Sequence, residues 1–284
     1  MQNVILNGEL LERGEASIDI EDRGYQFGDG VYEVIRVYNG KMFTEEEHLE
    51  RLWASAASIG IEIPYSKKQL QEQLKALVEK DQLSLGTVYM QFTRGISPRK
   101  HPFPAGGVTP TFVAYTREVG RPVEKLQAGV KAIITDDIRW LRCDIKSLNL
   151  LGNLLANQKA AEAGCDEAVL HRDGRVTEGS HSNISIVKDG KIHTHPANHF
   201  ILNGISRRVM LEICKRENIS VIEEPFTLEE LTQADEVFLT GTTVEVMPVV
   251  ELAGKSINGE KPGPLTRKLQ EWFKNEIEHQ CGKI

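Results

Sequence analysis

Apolar and polar residues alternate with period two over several stretches, and each is bounded by a turn dipeptide. Val4-Ile5-Leu6, the turn Asn7-Gly8 and Glu9-Leu10-Leu11 predict a hairpin at the start of the chain. Val31 to Tyr38 alternates up to the turn Asn39-Gly40, and Thr87 to Arg94 and Pro110 to Thr116 predict two more strands. Between them the period changes to that of a helix. Leu49, Leu52, Trp53, Ala56 and Ile59 share one face of a segment running to about Gly60, for which Thr44 and Glu47 suggest a capping box. Ser66 to about Lys80 repeats the pattern with Leu70, Leu74, Leu77 and Val78. The stretch Arg117-Glu118-Val119-Gly120-Arg121-Pro122 joins charge to Gly and Pro and predicts a linker. This divides the chain into a smaller α/β domain, residues 1–119, and a larger domain, residues 120–284.

The second half mixes the two periods. Strands are expected at 129–135, 166–170, 175–178, 184–187 and 219–222, with hairpin turns at Asp173-Gly174 and Asp189-Gly190. A buried strand over 235–243 ends in Thr240-Gly241-Thr242-Thr243. Helices are expected at 150–163 before Gly164, at 205 to about 217, from Leu228, and at 265–278. The fold class is therefore α+β in two domains, with mixed and antiparallel sheets flanked by helices.

Composition narrows the function classes. The formal net charge of −7 disfavours nucleic acid or an anionic membrane as the main partner. No run of about 18 apolar residues predicts a membrane span, and the N-terminus lacks the basic-then-apolar pattern of a signal peptide. The four cysteines, Cys143, Cys165, Cys214 and Cys281, are scattered without a Cys-x-x-Cys, which fits reduced thiols in a cytoplasmic protein. His193, His195 and His199 cluster around Pro196 without nearby carboxylates or cysteines, and read as a loop with no metal assigned.

The densest chemistry lies in Ile138-Arg139-Trp140-Leu141-Arg142-Cys143-Asp144-Ile145-Lys146-Ser147-Leu148-Asn149. An apolar setting disfavours a charged ammonium and so favours a nucleophilic amine, the requirement of Schiff-base chemistry. Taken alone, Lys146 is equally a strand-end lysine that reaches solvent. Other residues admit two readings as well. Gly28 and Gly30 line a site or make a plain turn, and Tyr32 offers its hydroxyl to a ligand or half-buries on a strand. Arg51 is a surface residue or a phosphate fork. Arg99, Lys100 and His101 form a carboxylate trap or a solvated loop. Glu178 faces a cavity or the surface. Ile205 and Ser206 open a helix whose amides bind an anion or are simply capped. Jointly, a lysine, an acid and a set of phosphate donors match the needs of pyridoxal phosphate.

Asp22-Arg23-Gly24-Tyr25-Gln26-Phe27-Gly28-Asp29-Gly30-Val31-Tyr32-Glu33 resembles the N-terminal signature of the D-amino-acid aminotransferases. These are pyridoxal-phosphate enzymes of class IV and fold type IV. Asp137 to Asn149 and Val176-Thr177-Glu178-Gly179-Ser180 resemble the lysine and glutamate motifs of that family. The resemblance extends over nearly the whole chain, and Arg94-Gly95-Ile96-Ser97-Pro98-Arg99-Lys100-His101 is its most subfamily-specific part. Branched-chain aminotransferases and aminodeoxychorismate lyases share the plan without that run.

The resemblance implies the family's two-domain fold, with the cofactor lysine in the larger C-terminal domain. It implies that Lys146 carries pyridoxal 5'-phosphate as a Schiff base and shuttles the substrate proton, while Glu178 pairs with the pyridine nitrogen. Arg51, the Ile205 and Ser206 amides and Thr242 would bind the phosphate, and Leu202 would pack on the ring. Tyr32, Arg99 and His101 would bind the substrate α-carboxylate, the last two from a partner subunit, which implies a homodimer. The implied reaction is transamination of D-amino acids with 2-oxo acids, D-alanine and 2-oxoglutarate giving pyruvate and D-glutamate. The alternatives are a branched-chain L-amino-acid aminotransferase, a lyase, and a non-catalytic small-molecule binding protein. Two positions look less typical: Gly241 stands where a serine is expected, and His181 interrupts a serine run.

Overall fold

The computed structural model describes residues 2–284, which divide into two compact units. The first comprises residues up to Gly120 together with Ile145–Asn149 and Ile277–Ile284. It contains β1 (Asn3–Leu6), β2 (Glu9–Glu12), α1 (Arg23–Phe27), β3 (Gly30–Tyr38), β4 (Lys41–Met42), α2 (Glu45–Ser58), α3 (Lys67–Lys80), β5 (Gly86–Thr93) and β6 (Phe112–Glu118). The strands form one sheet in the order β2-β1-β6-β5-β3-β4 with every neighbour antiparallel.

The register explains the alternation in the sequence. Val31, Ile35 and Val37 of β3 share a face with Val88, Met90 and Phe92 of β5 and with Phe112 and Ala114 of β6. These residues pack with Leu49 and Leu52 of α2 and with Leu70, Leu74 and Leu77 of α3, burying an apolar core. The opposite face carries Tyr32, Val34, Arg36 and Tyr38. At Gly30 an added Cβ would lie 2.6 Å from the Phe92 carbonyl oxygen and 2.8 Å from Leu148 Cδ1, so only glycine lets β3 start there.

Helix ends differ from expectation in one place. Ser66 and Gln69 make a reciprocal capping box at α3. Thr44 does not cap α2: its φ of 53° is left-handed, and its hydroxyl donates to the preceding Phe43 carbonyl at 2.7 Å. Glu45, Glu46 and Glu47 instead supply negative charge to the first turn. The glycine-rich segment before β3 is not an open loop. Asp22 caps the short helix α1, and Gly28 closes it with φ 66°.

The second unit comprises Arg121–Asp144 and Leu150–Glu276. Its elements are α4 (Val123–Ala128), β7 (Val130–Asp136), α5 (Leu151–Glu162), β8 (Glu167–Arg172), β9 (Arg175–Gly179), β10 (Asn183–Lys188), β11 (Lys191–Thr194), α6 (Ile205–Arg216), β12 (Val221–Glu223), α7 (Leu228–Thr232), β13 (Glu236–Gly241), β14 (Glu245–Leu252), β15 (Lys255–Ser256) and α8 (Pro264–Cys281), whose last turn belongs to the first unit. The sheet runs β12-β11-β10-β13-β14-β7-β8-β9, with β15 beside β14. It is mixed: β7 lies parallel to β14 and β8, and β11 parallel to β12. Val169, Val176, Ile184, Ile186, Val237, Leu239, Met247 and Val249 fill its core.

The sequence places Lys146 in the larger C-terminal domain, whereas Ile145–Asn149 groups with the first unit. The reason is hydrogen bonding to β3 and α2. Tyr32 N donates to Lys146 O at 3.0 Å, Leu148 N to Gly30 O at 3.0 Å, and Lys146 N to Ser55 Oγ at 3.2 Å. No helix among the described residues is long and apolar enough to cross a membrane.

Candidate active site

In the first unit the loop 145–149 holds Lys146 over the sheet. Ile145 is buried in the apolar core, and Val31 and Ser147 form a β-bridge, so both neighbours of the lysine are fixed. The half-buried Lys146 side chain places Nζ 4.2 Å from the centre of the Tyr32 ring. Of the apolar residues just before Lys146 in the sequence, Cys143 and Ile145 are buried, while Ile138, Trp140 and Leu141 are exposed.

Directly behind Tyr32, Glu33 points to the other face of β3 and is fully buried. Arg51 grips it as a fork, Nε to Oε1 at 2.6 Å and Nη2 to Oε2 at 3.0 Å. His48 Nδ1 lies 2.7 Å from Glu33 Oε2. Burial alone would push the Glu33 carboxyl up, but Arg51 and His48 hold it well below the usual carboxylate range. Burial holds His48 below its ordinary value against the pull of Glu33, so the neutral ring donates from Nδ1. Arg51 is thereby oriented by two α2–β3 contacts. Arg99 and His101 are exposed and meet at Phe27: the Arg99 guanidinium lies 4.7 Å from that ring centre and the His101 ring 5.7 Å from it. The contacts that fix Lys146 are with Tyr32 and Ser55 instead.

In the second unit Glu178 is buried near the end of β9. Oε1 accepts from Arg139 Nη1 at 2.5 Å, and Oε2 from Asn183 Nδ2 at 2.9 Å and the Leu202 amide at 3.1 Å. Burial pushes its carboxyl up to about 7, and Arg139 and the Leu202 amide offset only part of that. Asp137 adds to the shortfall. It takes the Arg139 fork, Oδ1 from Nε at 2.9 Å and Oδ2 from Nη2 at 2.8 Å, and also accepts from Arg172 and Thr177. One guanidinium thus serves two carboxylates, and Asp137 adds repulsion toward Glu178.

Asn183 also donates to the Leu202 carbonyl at 2.8 Å, which ties Glu178 to the segment leading into α6. That helix begins at Gly204 without a side-chain cap, so the first-turn amides, those of Ile205 and Ser206, have no side-chain acceptor at the cap. At the end of β13, Thr240 Oγ1 is buried with no hydrogen-bond partner, and Gly241 and Thr242 follow in a half-buried turn. Gly241 is crowded: an added Cβ would meet Val244 Cγ2 at 3.0 Å. His181 does not disturb Glu178. It pairs with Glu167 at 3.1 Å, beside the Ser180 and Ser182 hydroxyls that Glu167 also accepts from. His193 lies in β11, His195 Nδ1 sits 2.9 Å from the Pro196 carbonyl, and His199 packs on Phe200.

The structure therefore joins Lys146 to Tyr32, and Glu178 to Leu202. Sequence reasoning missed Arg139, Asp137 and Asn183 as the groups that set Glu178, and Glu33 as the anchor of Arg51.

The family amino-transferase class IV matches residues 30–252, and the chain belongs to that family. It is 51% identical over 280 residues to the D-alanine aminotransferase of Bacillus licheniformis, covering 99% of each chain. Among solved structures it resembles the branched-chain amino acid aminotransferase of Escherichia coli with a TM-score of 0.91 and 27% identity, over 96% of this chain and 93% of that one. It also resembles the T.th. branched-chain amino acid aminotransferase complexed with N-(5'-phosphopyridoxyl)-L-glutamate, TM-score 0.89 and 27% identity, over 99% and 95%.

Proposed function

We propose that the protein transfers amino groups between D-amino acids and 2-oxo acids, with D-alanine and 2-oxoglutarate giving pyruvate and D-glutamate. The observation that carries the substrate class is the full-length identity of 51% to a D-alanine aminotransferase, against 27% to the branched-chain enzymes of the same fold. The second reading, an L-specific branched-chain aminotransferase, is favoured only by that shared fold. Assaying D-alanine against L-leucine, each with 2-oxoglutarate and pyruvate as acceptors, separates them. Turnover of L-leucine alone would overturn the D-specific reading.

The residues fit pyridoxal 5'-phosphate. A buried carboxyl held up to about 7 is short of a cationic N–H partner, an uncapped helix start offers amides to an anion, and a buried threonine hydroxyl stands unpartnered. When bound, the cofactor would supply an electron sink that allows the Cα–H bond of the amino acid to break heterolytically. Lys146 Nζ would tether it, take the Cα proton from the donor and return it to the acceptor. Glu178 would keep the pyridine nitrogen protonated, and Leu202 would pack on the ring. Arg51, the Ile205 and Ser206 amides and Thr242 would hold the phosphate. Tyr32 would bind the substrate α-carboxylate with Arg99 and His101 of a second copy, which makes the working species a homodimer. A cytoplasmic location is part of the same reading, and none of the four scattered cysteines is paired with another. Borohydride reduction of the loaded protein, followed by peptide mapping, tests the lysine: label on any lysine other than Lys146 would end its assignment.

A further inference from the structure

The two faces of the first-unit sheet differ in kind. One is closed by the apolar core. The other is an aromatic and polar face built in rows: half-buried Tyr32 beside Gln91 and Val113, half-buried Val34 beside Tyr89 and Tyr115, and buried Arg36 beside buried Thr87 and exposed Arg117. Tyr32 stacks on Tyr89, Tyr89 stacks on Tyr115, and Lys146 Nζ lies over Tyr32. Among the described residues, the positions of β3, β5 and β6 on this face include no carboxylate.

Arg36 is the exception to the good pairing seen elsewhere. Its side chain is among the largest that are fully buried, and both terminal nitrogens, Nη1 and Nη2, lack a hydrogen-bond partner. The Tyr38 ring lies 5.3 Å from its Cζ, which engages the face of the cation and leaves the N–H groups unmet. A guanidinium is always charged, and leaving one buried without an acceptor is strongly unfavourable. Other buried arginine side chains have carboxylate acceptors: Arg23 and Arg94 on Asp29, Arg139 on Asp137, Arg207 on Glu223.

We propose that Arg36 recognises the distal carboxylate of a dicarboxylic substrate, D-glutamate or 2-oxoglutarate, an inference that rests on the transaminase reading above. Arg36 follows Tyr32 by four residues on one face of β3, about 13 Å along the strand. The Tyr32 side chain, a five-carbon dicarboxylate and the arginine side chain together span that separation. With the α-carboxylate held at Tyr32 and the reacting carbon toward Lys146, the far end of the substrate runs along the face toward Arg36. The planar fork suits a carboxylate taken in two hydrogen bonds. A monocarboxylic substrate leaves the two nitrogens unmet, so Arg36 discriminates by substrate length and charge.

The test compares wild type, Arg36→Lys and Arg36→Gln, with D-alanine as donor and either 2-oxoglutarate or 2-oxobutyrate as acceptor. The ratio of kcat/KM for the two acceptors should fall by roughly 10- to 100-fold in Arg36→Gln and by less in Arg36→Lys, the range for a lost charged hydrogen bond. An unchanged ratio overturns the proposal. If Arg36→Gln does not fold, wild type decides through unreactive probes. Glutarate should protect it against thermal unfolding at about tenfold lower concentration than butyrate, a charged hydrogen-bond pair being the difference, and equal protection overturns the proposal. Should wild type turn over no D-amino acid with either acceptor, the transaminase reading fails, and the glutarate comparison still decides the role of Arg36.

Discussion

Glu33 and Glu178 are both buried carboxylates, each touched by an arginine, yet their protons behave in opposite ways. Glu33 receives a whole guanidinium fork and a histidine N–H, and stays ionised far into acid. Glu178 receives one N–H from an arginine whose fork is spent on Asp137, and titrates at about 7. Burial is the largest influence on both, and it acts in the same direction. What separates them is how completely the fold supplies counter-charge. A carboxylate that only holds the protein together is satisfied internally. On the proposed reading, Glu178 is left with a deficit that the cofactor's ring nitrogen would make good.

The sharpest way to break the comparison is at the lysine. Lys146→Ala should lower D-alanine turnover by about 10⁴-fold, the upper range for losing a proton-transferring group. It should also abolish borohydride labelling while leaving the pH response of Glu178 intact. Next in size, Glu33→Gln should destabilise the protein by about 3–5 kcal/mol in urea unfolding, because it leaves Arg51 without its charged acceptor. That loss should be constant from pH 5 to pH 9, since the Glu33 pKa is lowered and its stabilisation disappears only in strong acid.

Glu178 should show the reverse. Its carboxyl pKa rises from 4.5 to about 7 on folding, so its contribution is fully present below pH 4.5 and declines as pH rises to 7. The shift corresponds to about 3 kcal/mol. Without cofactor, wild type should therefore lose stability relative to Glu178→Gln between pH 5 and pH 8. Loading pyridoxal phosphate should flatten that difference. A gap that does not change with pH would mean Glu178 is as well satisfied as Glu33. The smallest effect belongs to Gly241→Ser. A hydroxyl regained near the phosphate is worth about 1 kcal/mol, or about fivefold in cofactor retention. The close Val244 contact should lower Tm slightly in return.

The parts of the fold legible in the sequence are those with local causes. The alternation of β3, the Ser66 capping box and the Asp173-Gly174 hairpin each follow from neighbouring residues. β14 was not legible, because a central strand buried on both sides reads as a near-continuous apolar run, here interrupted by Pro248. The Thr44 cap failed because a left-handed backbone turns its hydroxyl away from the helix. The roles proposed for Lys146, Glu178 and Tyr32 rest on motif resemblance. The pairing of Arg139 with Glu178, and of Arg51 with Glu33, is not legible, since both join residues well separated in the sequence. The grouping of Lys146 with the first unit is not legible either: its hydrogen-bonded neighbours lie in β3 and α2, more than 90 residues earlier.

Asn183 makes the two ends of the second-unit site into one part. Its amide nitrogen bonds Glu178 and the Leu202 carbonyl, while its Oδ1 occupies the place that a Cβ on Gly204 would need. Gly204 is the residue from which α6 starts. A single planar group therefore sets the spacing between an acid and a helix start, much as a gauge block sets two jaws. Any side chain introduced at Gly204 would shift the acid and the helix start together, so neither end of this site can be re-tuned without re-cutting the other.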